Sequence, residues 1–302
     1  MRRGLITGVL GRVLLSFGAL ILLFVAYQLW GTSIAESHSQ AVLRQRFEAQ
    51  LHRVKTTPPS STTTTGAGPG DQPTVGPTIA APNEGSPVGV LRIPTIGLDK
   101  VIVEGTNTAD LQQGPGHYTG TPLPGEEGNA AIAGHRTTYG APFYNLDQLT
   151  PGDTIDVTTV QGSFTYRVTR TVIVSPGDTS VVADTPTPEL TLTTCNPRFS
   201  DTQRLVVHAA LTSTPAPTVA PPKKTPAGTS GASGLAGGQG DWIPALERGA
   251  VSAVVIIAMF AVARGRRRRV RRWGVYVVGG ALSLVALFFF FGALSPLLPA
   301  SF

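Results

Sequence analysis

From residue 88 to residue 211 the sequence runs as short stretches of β-forming residues, each cut off by glycine, proline or another turn former. The stretches are 88–93, 98–103, 129–133, 154–159, 163–175, 190–194 and 205–211. Pro94 and Gly97 separate the first two, and turns are expected at 114–116 and 120–125. One or two helical turns fit 108–113, and a short helix or 3-10 element fits 143–149. Seven or eight strands with hardly any helix predict a mainly β domain, closed or nearly closed as a barrel, or a sandwich. A stretch of this length buries enough surface to fold alone.

The flanks cannot pack in this way. Residues 56–87 are dominated by Thr, Pro, Gly and Ser, including four consecutive threonines from Thr62 to Thr65, and read as a linker. Ahead of them, the polar stretch 36–55 has helical spacing at Val42, Phe47 and Leu51 and reads as a short stalk helix. Stalk and linker together fill 31–87, and 213–245 is a second linker, rich first in Pro, Ala and Thr and then in Gly and Ser. Residues 1–12 are basic, and 13–30 carry no charge and close on Tyr27 and Trp30, as interface aromatics do. At about 1.5 Å per residue, this run nearly crosses a hydrocarbon core of about 30 Å. Its length, and the weak small-residue site at 31–35, favour an uncleaved transmembrane signal anchor over a cleaved signal peptide. The positive N-terminus places itself inside and the chain beyond the anchor outside. Toward the other end, 249–263 is apolar but short, so a span over 246–264 relies on snorkelling arginine stems. Seven arginines follow within 264–272, then an apolar run over 273–295. The pattern is a membrane hairpin with its arginine loop in the cytoplasm.

This distribution decides what the net charge of +6 means. Residues 88–212 hold seven Lys/Arg against twelve Asp/Glu, a net of −5. The other basic residues lie outside that domain and mostly flank apolar runs, so the basic character is a topology signal for a lipid bilayer. No basic helix or interleaved aromatic platform suggests a nucleic-acid face.

Chemistry converges on Cys195, the only cysteine in 302 residues. It stands between the stretch 190–194 and the turn residues Asn196, Pro197, Ser200 and Asp201, and Arg204 opens the next strand. Unable to form an intramolecular disulfide, it is a reactive thiol, an intermolecular link or a buried inert side chain. A reactive thiol needs a lowered pKa or a base. The candidate bases are His117 in a Gly/Pro turn region, His135 just past the stretch 129–133, and His208 in mid-strand, alternating with Val206 and expected to face solvent. Spacing favours His135 without deciding the matter. If the strands around Cys195 pair, Arg204 returns beside it, where a guanidinium would favour the thiolate and bind a developing oxyanion. Metal chemistry is poorly supported: there is one cysteine and no histidine pair at helical spacing.

Leu192-Thr-Thr-Cys195 with Arg204 at the start of the next strand resembles the signature of sortases, the membrane-anchored cysteine transpeptidases of Gram-positive cell envelopes. Gly134-His135-Arg136-Thr-Thr-Tyr-Gly-Ala-Pro-Phe143, then Leu146-Asp-Gln-Leu149 and Gly152-Asp153, matches that family's histidine region. Cys195-Asn-Pro-Arg-Phe-Ser200 with Gln203-Arg204-Leu205 is most similar to class E. The C-terminal hairpin departs from the usual single anchor and is similar to pilus-building class C enzymes, whose inhibitory lid is not seen ahead of the first strands. The resemblance implies an eight-stranded β-barrel. It also implies that Cys195 attacks the Thr–Gly carbonyl of an LPxTG- or LAxTG-like C-terminal sorting signal, that His135 handles the amine protons, and that Arg204 holds substrate or oxyanion. Tyr118 and Thr194 become candidates for substrate binding. The acceptor would be an amine of a cell-wall precursor, with no metal or organic cofactor. Pilin polymerisation, and a non-catalytic adhesion or sensing domain with a structural cysteine, are the alternatives.

Overall fold

The computed structural model describes residues 2–56, 82–217 and 287–292. Most of both linkers, and the C-terminal hairpin except for 287–292, lie outside the described residues. The chain divides into two compact units, residues 1–34 with 239–300 and residues 35–238.

In the first unit, helix α1 (Arg2–Ala26) leads into a π-helical turn, Tyr27–Gly31. Phe24 packs edge-to-face on Phe291 and Tyr27 on Phe288, each pair with ring centroids 5.1 Å apart. Among the described residues one helical stretch, Phe17–Val54, is long and apolar enough to cross a membrane, which suits an anchor or a signal sequence equally.

The second unit is a closed eight-stranded barrel. Its strands are β1 (Pro87–Ile93), β2 (Leu98–Glu104), β3 (Gly116–His117), β4 (Asn129–Ala133), β5 (Thr154–Thr159), β6 (Gly162–Val174), β7 (Glu189–Asn196) and β8 (Gln203–Leu211). Around the barrel they run β1-β2-β3-β4-β7-β8-β6-β5, and β5 closes on β1. All pairs are antiparallel except β2–β3 and β4–β7. The seven stretches visible in the sequence are all present. Only β3 is new, because Gly114-Pro-Gly116 reads as a turn and its two-residue strand is held by neighbours rather than by β propensity. Residues 108–113 hold a single helical turn, α3 (Thr108–Leu111), capped by the Asn107 side chain. A 3-10 turn covers Leu146–Gln148.

Alternation explains the interior. On β5, Ile155 and Val157 are fully buried while Thr154, Asp156 and Thr158 are only half-buried. Leu91, Ile93, Ile132, Leu190, Leu192 and Val207 meet them inside, each contributing about 1.5–3 kcal/mol on burial. Strand β4 breaks the alternation: all five residues are buried. Ala130 and Ile132 enter the core, while Ala131 and Ala133 pack outward under Tyr118. Small side chains fit a strand covered on both faces.

The helix expected over 36–55 is present as part of α2 (Thr32–Thr56), but it does not stand free. From Ala35 onward it belongs to the barrel unit. Leu43 packs on Val101 and Val103, and Phe47 is also buried. Strand β2 meets β3 only at Val103 and Glu104, leaving the backbone of Val101 without a strand on that side. Gln40 supplies what a strand would. Its Nε2 donates to the carbonyls of Val101 (3.0 Å) and Gln113 (2.8 Å), and its Oε1 accepts from the Val101 amide (2.7 Å). Lys100 pairs with buried Glu36 at 2.7 Å beside this edge.

Candidate active site

The site is set by strand register. On β7, Leu190 and Leu192 point into the core, so Thr191, Thr193 and Cys195 point outward. On β8, Leu205, Val207 and Ala209 point inward, so Arg204, Val206 and His208 point outward. Cys195 and Arg204 are directly opposite partners in the antiparallel ladder and share the outer face. The pairing anticipated from the sequence thus places the guanidinium beside the thiol.

His135 arrives by the parallel pair. Ala133 of β4 lies opposite Thr193 of β7. The match continues past the strand end: the Gly134 amide donates to the Thr193 carbonyl at 3.1 Å, and Thr194 Oγ1 donates to the Gly134 carbonyl at 2.8 Å. One residue further, His135 follows at the level of Cys195. Gly134 is needed here for space, since a Cβ would stand 2.6 Å from the ring of buried Phe143.

Electrostatics leaves both reacting candidates neutral. Cys195 is half-buried, and loss of hydration pushes its thiol pKa up; Arg204 and then Arg136 pull it down, while Asp201 pushes it up. The guanidinium therefore does favour the thiolate, as expected from the sequence, but burial outweighs it. Removal from water lowers the His135 pKa to about 4. The residue keeps some surface, but its Nε2 is buried and has no hydrogen-bond partner. Nδ1 lies 3.5 Å from Thr138 Oγ1, too long for a firm bond. The ring sits 5.1 Å from that of Tyr139. No carboxylate orients this imidazole among the described residues.

Arg204 is 3 % exposed. Its Nη1 donates to the carbonyls of Asp201 (2.8 Å) and Gln203 (2.9 Å), which fixes the guanidinium, while Nε remains an unengaged buried donor. Tyr118 lies over the same outer face. Its hydroxyl is 3.0 Å from Thr193 Oγ1, and burial pushes its pKa up to about 12. Thr194 is placed differently: it is buried on the inward side of β7, with its hydroxyl engaged by Gly134.

The other two histidines are absorbed by the fold. His117 is buried, with Nδ1 2.8 Å from Glu104 and Nε2 2.9 Å from the Pro122 carbonyl. Burial pulls its pKa down, but Glu104 and the hydrogen bonds outweigh that and raise it. His208 does not face solvent as its mid-strand position suggested. It is 3 % exposed, with Nδ1 2.9 Å from Glu189 and 3.1 Å from Thr191 Oγ1. Sequence alternation told the face but not that neighbouring side chains cover it.

Sequence reasoning gave no role to Thr193, or to a charged group formed by Arg136, Asp147 and Arg198. Arg136, 4 % exposed, reaches the backbone carbonyl of Cys195. Its adjacency to His135 was the available signal. Among the described residues no group of three or more His, Cys, Asp or Glu side chains could hold a metal.

A closed β-barrel presenting thiol, guanidinium and imidazole at the ends of neighbouring strands defines a class of cysteine-bearing barrel domains. The Sortase domain profile matches residues 91–212. The chain is 39% identical to sortase D of Bacillus subtilis over 117 residues, 38% of this chain and 58% of that protein. It is 31% identical to sortase SrtE1 of Streptomyces coelicolor over 215 residues, 66% of this chain and 55% of that protein. It is 35% identical to the putative sortase YwpE of B. subtilis over 86 residues, 28% of this chain and 84% of that protein. The chain belongs to the sortase family. It spans a little over half the length of the first two of these relatives.

Proposed function

We propose that this chain is a class E cysteine transpeptidase that cleaves an LPxTG- or LAxTG-like C-terminal sorting signal between Thr and Gly. The observation that carries the reading is the register that sets Cys195 opposite Arg204 and brings His135 alongside. Similarity to sortase SrtE1 over two thirds of this chain, and the segment from Cys195 to Leu205, support class E.

The steps follow from the electrostatics. With the thiol pKa raised and the imidazole pKa lowered, the reactive pair forms when the Cys195 proton passes to His135, a minor state at rest. The thiolate attacks the Thr carbonyl carbon. The developing oxyanion is neutralised by the Arg204 guanidinium, whose Nε is unengaged. As the tetrahedral intermediate collapses, the C–N bond breaks and His135 returns its proton to the departing glycine amine. A thioacyl enzyme remains. An amine of a cell-wall precursor then loses its proton to His135, attacks the thioester and releases Cys195. Tyr118 lines the substrate face beside Thr193, while Thr194 supports it by tying the two strand ends together. In this reading residues 13–30 anchor the chain in the membrane, domain 88–212 works outside, and 246–264 and 273–295 form a hairpin whose arginine loop faces the cytoplasm.

The test is ligation. Full-length chain in detergent micelles, given an LAxTG peptide and a small amine, forms the Thr–amine product, and Cys195→Ala does not. Product from the alanine variant would overturn the assignment of Cys195.

A further inference from the structure

The charged group beside the site joins three separate pieces of chain. Arg136 follows His135 directly. Its Nη1 donates to the Cys195 carbonyl at 3.2 Å and to Asn196 Oδ1 at 2.7 Å. Its Nη2 pairs with Asp147, from the 3-10 turn, at 3.2 Å. Asp147 also takes two contacts from Arg198 Nη2, at 2.9 and 3.2 Å. Arg198 in turn donates from Nε to the Tyr144 carbonyl and lies 4.4 Å over the Tyr144 ring.

The environments of these cations differ. Arg198 is on the surface, where such a pair contributes about 0–1 kcal/mol. Arg136 is buried, and burial lowers its pKa while Asp147 raises it. A buried guanidinium is costly unless it is held by several acceptors, and here two of the three belong to Cys195 and its neighbour. A planar fork can hold such divergent acceptors at once; an ammonium cannot hold them in the same geometry.

We infer that Arg136 is a positioning residue that bolts the His135 loop to the Cys195 strand end and adds a second positive charge beside the thiol. This rests on the reading of Cys195 and His135 as the reacting pair. Arg136 acts through them: it touches the Cys195 backbone, leaving the reacting side chains free. The other groups facing the thiol are Arg204 and Asp201, from β8 and the turn before it, and Tyr118, from beyond β3. Arg136 is thus the positive group contributed from the histidine side, and Asp147 and Arg198 set how much of its charge the thiol feels.

Two readouts on the full-length chain in micelles test this. Because Cys195 is the only cysteine, iodoacetamide alkylation against pH reports one thiol. In Arg136→Gln, a neutral side chain that keeps a donor, the alkylation midpoint moves up by about 0.5–1 pH unit. In Asp147→Asn, which removes the opposing charge and keeps an acceptor, it moves down. In the ligation assay Arg136→Gln lowers kcat by about 10–100-fold with KM within a few-fold, because misplacement acts on the chemical step. Arg136→Lys restores the alkylation midpoint but not kcat, separating charge from fork geometry. If wild type fails to ligate, the transpeptidase reading fails while the alkylation shifts still judge the clamp. Unchanged midpoints in both neutral variants, or a kcat for Arg136→Lys equal to wild type, would overturn the inference. Asp147 is exposed enough for its variant to fold even where Arg136→Gln does not, and an unshifted midpoint there also counts against it.

Discussion

Replacing Gln40 by alanine should loosen the whole barrel, although Gln40 lies in a helix that the sequence places outside it. The side chain makes three hydrogen bonds to backbone, at 3.0, 2.8 and 2.7 Å, and two of them satisfy the amide and carbonyl of Val101. Alanine leaves these groups buried between α2 and the sheet. A buried unpaired polar group costs about 1–3 kcal/mol, and partial entry of water returns some of that, so a loss of about 2–4 kcal/mol is expected for the site. Glutamate is the sharper variant. Its carboxylate still accepts from the Val101 amide but faces two carbonyls with no hydrogen to offer. At neutral pH Gln40→Glu should therefore destabilise at least as much as alanine, despite its closer shape. Urea unfolding in micelles measures both. Near-ultraviolet circular dichroism is the suitable probe, because Tyr118 and Tyr166 are buried in the barrel and the sequence from 88 to 212 contains no tryptophan. A Gln40→Glu variant within about 0.5 kcal/mol of wild type would refute the hydrogen-bond argument, and shape alone would then account for the docking.

Other outcomes follow from the same geometry. Wild-type alkylation of Cys195 should show a midpoint above the usual thiol value of about 8.5, since burial outweighs the two arginines; a midpoint at or below 7 contradicts this. Gly134→Ala should cost about 1–3 kcal/mol by driving a methyl into Phe143, and Phe143→Leu should recover part of that in a double-mutant cycle; additive effects would remove the steric explanation. His117 carries a raised pKa, so its pair with Glu104 stabilises the fold below about pH 6.5 and loses that contribution as pH rises through the folded value. Unfolding at pH 6 and pH 9 should show wild type losing stability relative to Glu104→Gln at the higher pH, and a pH-independent difference would dismiss the pair. A fragment covering 82–217 should self-associate through the uncovered β2 edge while 35–217 stays monomeric, as light scattering would report.

The strands were legible because the barrel rewards local pattern. Stretches such as 154–159 alternate strictly, and 190–194 and 205–211 bracket the cysteine with turn chemistry. The neighbour relation of Cys195 and Arg204 was legible too, since it needs only an adjacent antiparallel pair. What the sequence withheld were long-range coverings. Nothing local says that Gln40 completes a sheet edge 61 residues away, or that Glu189 and Thr191 roof over His208. The two-residue β3 was hidden by its glycine, and the side of β7 taken by Thr194 depends on which neighbours form the core. Arg136 stood in plain view beside His135. Its partners Cys195 and Asn196 come from 59 and 60 residues further on, a separation only the parallel β4–β7 pairing closes.

That parallel pairing also sets when the site comes into being. Antiparallel neighbours can zip from a hairpin, but β4 and β7 are joined by a crossover that includes the whole β5–β6 hairpin. Their ends meet only after that intervening chain has closed, a slow and late event in topologies rich in distant contacts. A β7–β8 hairpin can bring Arg204 to the thiol on its own, but His135 reaches it only once β4 and β7 have paired. Local fraying cannot assemble all three, because β7 lies between β4 and β8 and needs both. The candidate grouping of Cys195, His135 and Arg204 is therefore complete only in the closed barrel, which ties the proposed activity to finished folding.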